Sequence, residues 1–293
     1  MTPPGLSLLE LRAVSHGYRQ GGLLSRLLAR PVLRNASVRI APGECVALLG
    51  PTGSGKSTLG RLALGLERPW GGEILLDGVP LLDRRGRMPP ATRRSIQAVF
   101  QDPHGATSPR LTAFQVVAEP LHVSRLEHTP LRQRVAALLE DVGLPATLMD
   151  RLAHRLSGGQ LQRLCIARAL APGPRLVLLD EAVNSLDLEN QMRVLALLRD
   201  LRRRNHVAYL FITHDLRLVR GFADRCYVMQ DGQPIEVADP FGTGPVPPAM
   251  AALRAAILPA RPGPRPLRAP PSGQWLPSSS PSPTRSVLAV EGD

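Results

Sequence analysis

The sequence predicts an α/β fold: a mostly parallel sheet with crossover helices, interrupted by a helical insertion. Three observations predict it. The apolar run Cys45-Val46-Ala47-Leu48-Leu49 feeds straight into a glycine-rich loop, Gly50-Pro51-Thr52-Gly53-Ser54-Gly55-Lys56-Ser57-Thr58. Strand-like runs then alternate with amphipathic helical patterns, the arrangement that parallel sheets require. Between about 102 and 170 the strands stop and three helical patterns follow one another.

Residues 6–14 alternate loosely and read as a strand. Tyr18 lies just beyond, either as a packing residue or, being upstream of the glycine loop, as a ring that could stack on a base. Residues 19–31, rich in Arg, Gly and Leu, are expected to form a loop between edge strands. Strands at 37–40 and 45–49 lead into the glycine loop, and a helix starting near Lys56 carries Leu59, Leu62 and Leu66 on one face. Gly71-Gly72 turns the chain into a strand at 73–77. Residues 83–94 are basic and Pro-containing, a surface segment, and 96–100 is a short strand ending on Gln101.

Helices are expected at 112–123, 130–142 and 158–170. A strand at 175–180 delivers Asp180 and Glu181 to its end. A helix with Leu188, Met192, Leu195 and Leu198 follows, then a strand at 207–213 that ends before His214. After about 240 the composition shifts to Pro, Gly, Ser, Ala and Arg. A short helix at 248–257 is expected there, and 259–293 cannot bury enough apolar surface to offset its ordering entropy. The expected division is 6–240 as one domain and 241–293 as a short helix with a disordered tail.

The totals narrow the function. Thirty-six basic against twenty-four acidic residues give a formal charge of +12 in 293 residues. The arginines are spread along the chain with no aromatics among them, and aromatics are only 3% of it, so nucleic acid is not the expected main partner. The three cysteines are isolated in apolar contexts, which suits a reducing compartment. Neither a secretory leader nor a run of about 18 apolar residues is present, so any membrane role is expected to be peripheral.

The loop at 50–58 fits G-x-x-x-x-G-K-[ST]. Its glycines let backbone N–H groups turn inward beside a helix N-terminus, making a cradle for polyphosphate. In that pattern Lys56 reaches the β- and γ-phosphates and the Ser57 hydroxyl ligates Mg²⁺. Lys56 is the only lysine in the chain. Every other cation is arginine, so a compact ammonium is kept where a planar guanidinium would fit badly. Leu156-Ser157-Gly158-Gly159-Gln160 starts a helix and offers a second polyphosphate acceptor, or an ordinary helix cap. Asp180 is placed to hold Mg²⁺ through water, Glu181 to orient or deprotonate the water attacking the γ-phosphate, and His214 to donate to that phosphate.

In order along the chain, Tyr18, the 50–58 loop, Gln101, Leu156–Gln160, Asp180-Glu181, Asp187 and His214 resemble the full motif set of an ATP-binding cassette ATPase. The resemblance covers about 6–240. It implies a P-loop ATPase core with an antiparallel β subdomain and an inserted helical subdomain at about 102–170. It further implies ATP and Mg²⁺ as ligands, with Tyr18 stacked on adenine and Gln101 linking Mg²⁺ to the helical subdomain. Two cassettes would pack head to tail, Ser157, Gly158, Gly159 and Gln160 of one closing over ATP on the other, with Asp187 communicating between the sites.

Finer resemblance is to the importers of peptides and nickel, carried by Phe100-Gln101-Asp102-Pro103, Pro109-Arg110, Leu161–Leu170 and Asp180-Glu181-Ala182-Val183. It is greatest to the second ATP-binding subunit of the nickel importers, with dipeptide or oligopeptide import as the alternative. Ala106-Thr107-Ser108 and the order Asn184-Ser185 depart from that pattern. The implied partners are a second ATPase subunit in a heterodimer, two transmembrane permeases and a periplasmic substrate-binding protein, at the cytoplasmic face of the inner membrane. A soluble cassette of translation or DNA maintenance is the other reading, and translation-factor cassettes come in tandem where this chain has one.

Overall fold

A computed structural model of the chain describes residues 7–19, 29–124, 131–184 and 186–257. Two sheets organise it. The first is antiparallel, in the order β2-β1-β4-β5, from β1 (Leu9–Arg19), β2 (Ala29–Ile40), β4 (Gly71–Leu76) and β5 (Val79–Pro80). The second runs β10-β9-β3-β8-β7-β6, from β3 (Cys45–Leu49), β6 (Ile96–Val99), β7 (Leu176–Asp180), β8 (Ala208–Ile212), β9 (Arg225–Gln230) and β10 (Gln233–Val237). It is parallel except where β10 returns beside β9.

Side-chain alternation along the central strands divides the apolar interior into two clusters. Cys45, Ala47 and Leu49 of β3, Val177 and Leu179 of β7, and Tyr209 and Phe211 of β8 belong to one. It also holds the buried residues of α3 (Ala113–Ser124), α4 (Leu131–Asp141), α5 (Gly158–Leu170) and α6 (Leu188–Asn205). The intervening Val46, Leu48, Leu176, Leu178, Leu210 and Ile212 pack with α1 (Lys56–Ala63) and the antiparallel sheet. Because both faces are covered, β3 and β8 are buried throughout, as continuous apolar runs in parallel sheets require.

The antiparallel strands are longer than the sequence pattern suggests. The strand expected at 6–14 is Leu9–Arg19, and the one expected at 37–40 starts at Ala29, inside the loop expected for 19–31. The cause is a matched pair of irregularities. Ala13 (φ 47°) and Asn35 (φ 49°) adopt left-handed backbone, and the buried set switches from Leu9 and Leu11 to Val14 and His16. A bulge shifts the alternation by one residue, which makes one bent strand look like a short one followed by loop.

The hairpin β9–β10 also departs from the expected pattern, which has no strands there. Its turn is Asp231-Gly232, both at positive φ, the pairing that matches the twist of a two-residue hairpin. Short helices α2 (Pro90–Ser95), α7 (Leu216–Val219) and α8 (Pro248–Ala256) also occur, α2 overlapping the end of the expected surface segment and α8 falling within the expected terminal helix. One bridge, Thr112 with Leu152, interrupts the otherwise helical stretch from 102 to 170. The tail expected to be disordered lies outside the described residues.

Candidate nucleotide site

Parallel strands present all their C-terminal ends at one edge of the sheet, where ligands of open α/β sheets bind. Here β3 ends in the glycine loop, β7 in Asp180-Glu181 and β8 in Thr213-His214, while Gln101 follows Phe100 just past β6. Register ties these ends together. Leu48 pairs Ile212, Asp180 pairs Ile212 from the other side, and Val99 pairs Leu179.

The loop's shape depends on its glycines. Gly50, Gly53 and Gly55 have φ of 152°, 80° and 103°. A Cβ on Gly50 would sit 2.8 Å from Ser54 Oγ and 2.9 Å from Met229 Cβ, so β9 backs the loop directly. Lys56 is 6% exposed, and its ammonium donates to the carbonyls of Gly50 and Pro51, each at 2.8 Å. Burial lowers its pKa, against the opposing pull of Glu181 and Asp180. Two polar atoms here are buried without a partner among the described residues: Ser54 Oγ and Asp180 Oδ1. Burial pushes the Asp180 carboxyl up, and the charge of Glu181 pushes it further.

An unpartnered carboxylate oxygen in such a place fits a hydrated divalent cation, and the exposed Ser57 hydroxyl supplies a second hard oxygen donor. The residues present therefore fit Mg²⁺.

Glu181 is a non-glycine residue at φ 49°, a left-handed kink just beyond β7, with its N–H bonded to Ile212 O. Backbone strain of this kind costs about 1–3 kcal/mol and is found where a side chain must be re-aimed. Its Oε1 lies 3.2 Å from His214 Nδ1, and the Asn184 amide lies 3.3 Å from the same nitrogen. In the sequence Asn184 stands out only for its reversed order with Ser185; the signal that could have marked it is its place three residues after Glu181.

Tyr18 sits on β1, 40% exposed. Its hydroxyl donates to Glu67 (3.1 Å to Oε2), accepts from Arg61 (3.0 Å) and lies 3.2 Å from Thr58 Oγ1. His16 packs edge-on against Tyr18 and reaches Glu67 at 3.0 Å. Glu67 and Arg61 escape a reading of the sequence, since each is distant along the chain from the Tyr18 it touches.

A second group forms elsewhere. Ser157 and Gln160 make a reciprocal capping box at the start of α5. A Cβ on Gly159 would lie 3.4 Å from Asn190 Oδ1, and Asp187 caps α6 through the Asn190 backbone N–H (2.9 Å) and side chain (2.7 Å). Those bonds hold the Asp187 carboxyl below its ordinary pKa. Among the described residues no hydrogen bond or ion pair joins Ser157–Gln160 to the 50–58 loop of the same chain.

The ABC transporter family model matches residues 33–184. A nickel import ATP-binding protein, NikE, of Rhodospirillum rubrum is 49% identical over 257 residues, covering 87% of this chain and 93% of that protein. The chain belongs to the ABC transporter family. Within it, the corresponding protein of Pseudomonas putida is 41% identical over 285 residues, with 94% of this chain and all of that protein covered. Among solved structures, cbiO1 of Clostridium perfringens, part of an ABC transporter complex, superposes with a TM-score of 0.67 at 30% identity, covering 79% of this chain and 88% of that one. The ATP-binding cassette MJ0796, a dimer bound to ADP and phosphate, gives 0.66 at 30% identity over 77% and 96%. The family fold is thus the α/β cassette described above, a nucleotide-binding ATPase.

Proposed function

We propose that this chain is the ATP-hydrolysing, energy-coupling subunit of a nickel importer, bound peripherally at the cytoplasmic face of the inner membrane. The observation that carries the hydrolytic part is the convergence of Lys56, Asp180, Glu181 and His214 on one sheet edge, with two buried polar atoms, Ser54 Oγ and Asp180 Oδ1, lacking partners among the described residues. The names of the relatives at 41–49% identity support nickel as the cargo.

When ATP enters, the Lys56 ammonium exchanges the Gly50 and Pro51 carbonyls for β- and γ-phosphate oxygens, while inward N–H groups of the loop bind the remainder. Ser57, Gln101 and Asp180 would hold Mg²⁺, which when bound neutralises charge on the phosphate oxygens. Glu181 accepts a proton from the attacking water, and His214 donates to the γ-phosphate. Tyr18 presents its ring to adenine. Ser157–Gln160 have no partner loop among the described residues of the chain, which supports a second cassette supplying the facing phosphate loop. Asp187 at the α6 N-terminus would then communicate between the two sites.

Two permeases and a periplasmic binding protein would complete the importer and select the metal. A groove of about 1150 Å³, with Leu64, Leu66, Met88, Phe100, Arg93 and Ala169 among its lining, supports seating of a permease's cytoplasmic segment. No helix among the described residues is long and apolar enough to cross a membrane.

The test is Glu181→Gln in the assembled complex. ATPase activity should collapse while ATP binding persists; full turnover would remove Glu181 from the assigned role.

A further inference from the structure

Resting on this hydrolytic reading, we infer that Asn184 is a positioning residue that selects the tautomer of His214, and so decides whether the imidazole faces phosphate as a donor or as a bare lone pair. The geometry is a contest at one atom. His214 Nδ1 lies 3.2 Å from Glu181 Oε1 and 3.3 Å from Asn184 Nδ2. In a neutral imidazole one nitrogen carries the proton and the other accepts. If Nδ1 carries it, the ring donates to Glu181, which occupies the carboxylate needed for water and leaves Nε2 without hydrogen. If Nδ1 is bare, the Asn184 amide donates to it, Glu181 is set free, and Nε2–H is available to the γ-phosphate. The partner of one ring nitrogen sets the chemistry of the other.

The arrangement is built to hold Asn184 in range. Its backbone N–H closes a turn onto Glu181 O at 3.0 Å, and the N–H of the kinked Glu181 is bonded in turn to Ile212 O at β8's end. The neighbouring Val183 is fully buried, and its carbonyl is gripped by Gln191 Nε2 at 3.0 Å, fixing the segment to α6. His214 itself is half exposed and has no further hydrogen-bond partner among the described residues. The charged groups that face it are Glu181 and, on its own loop, Asp215, which is paired to Arg217; Lys56 and Asp180 lie beyond Glu181. Neither Asp215 nor Arg217 touches Nδ1.

Asn184→Asp keeps the size but replaces the donor with an acceptor, and Asn184→Ser restores a donor on a shorter arm. In the full chain labelled with ¹⁵N-histidine, long-range ¹H–¹⁵N correlation should show His214 with bare Nδ1 in the native protein and protonated Nδ1 in Asn184→Asp. In the assembled complex at pH 8, Asn184→Ala should lower kcat about five- to tenfold, the size set by one hydrogen bond, with the KM for ATP unchanged. Asn184→Asp should lower it more, and Asn184→Ser less.

A native His214 with Nδ1 protonated, or the same tautomer in native protein and Asn184→Asp, would overturn the inference. So would equal kcat losses in Asn184→Asp and Asn184→Ser. Turnover that survives Glu181→Gln would instead defeat the hydrolytic reading while leaving the tautomer result standing, so the two failures are separable.

Discussion

Replacing Asp180 with Asn should make the nucleotide-free protein more stable and the nucleotide response weaker. Asp180 Oδ1 is buried without a partner among the described residues, and its carboxyl pKa is raised above the ordinary 3.8, first by burial and then by Glu181. A buried polar group without its hydrogen bond costs about 1–3 kcal/mol, more when charged. The amide keeps the shape and part of that cost while losing the charge, so the gain is about 1 kcal/mol. For a folded unit of this size it amounts to about 2–4 °C in Tm.

The pH dependence has a definite sign. Since the folded state holds this proton more tightly than the unfolded one, native stability falls as pH rises from 3.8 through the raised folded value, and stays lowered above it. The advantage of the Asp180→Asn variant over the native protein should therefore be full at neutral pH and close as pH falls toward 3.8. Saturating ATP with Mg²⁺, at about a hundred times Kd, stabilises the native protein by about 2.7 kcal/mol. The variant should lose most of that increment, and lose in particular the part abolished by chelating Mg²⁺. Differential scanning fluorimetry with and without ATP, Mg²⁺ and EDTA reads all of these. A variant that melts below the native protein without nucleotide, or that keeps the full Mg²⁺-dependent increment, would refute the reasoning.

Because Lys56 is the only lysine, an amine-acylating reagent has two targets, this ammonium and the N-terminus. Mass spectrometry should show the second adduct disappearing when ATP and Mg²⁺ are present, and equal labelling with and without them would place the phosphates elsewhere. Gly50→Ala should abolish ATP binding through the 2.8–2.9 Å clashes with Ser54 and Met229 while costing about 1–3 kcal/mol of stability, as measured by equilibrium titration and denaturant unfolding. Tyr18→Ala should raise the Kd for a fluorescent ATP analogue by about ten- to a hundredfold, the value of one base stack. Tyr18→Phe keeps the ring but loses the bonds to Glu67, Arg61 and Thr58, and should fall between the two.

Much of the fold was legible because its central strands are short, apolar and flanked by glycine. Cys45–Leu49 and Leu176–Asp180 announce themselves that way, and α5 begins where its capping serine stands. The edges were less legible for a physical reason. At Ala13 and Asn35 the buried face changes phase, so a pattern of period two cannot follow β1 or β2 to its end. The β9–β10 hairpin did carry a signal, Asp231-Gly232, but its flanking residues, Pro234 and Glu236 among them, break the alternation that would have supported it.

At the site, the residues Lys56, Asp180, Glu181 and His214 could be placed because each follows or ends a strand of one parallel sheet. What sequence could not give is pairwise geometry. The grip of Glu67 and Arg61 on Tyr18, and of Asn184 on His214, joins residues from different motifs across the fold. Ser157–Gln160 and the 50–58 loop belong to separate groups within one chain, which no spacing along the sequence could reveal.

The central claim is that ATP is gripped between the phosphate loop of one cassette and the Ser157–Gln160 helix start of another. It is tested most directly by placing one cysteine at Ser157 here and one in the phosphate loop of the facing cassette, in the purified complex carrying Glu181→Gln. The native cysteines are buried and stay silent. A short bifunctional thiol reagent should join the two subunits with ATP and Mg²⁺ present and leave them apart without nucleotide. Failure to join them at saturating ATP and Mg²⁺, or equal joining in both conditions, would contradict the account.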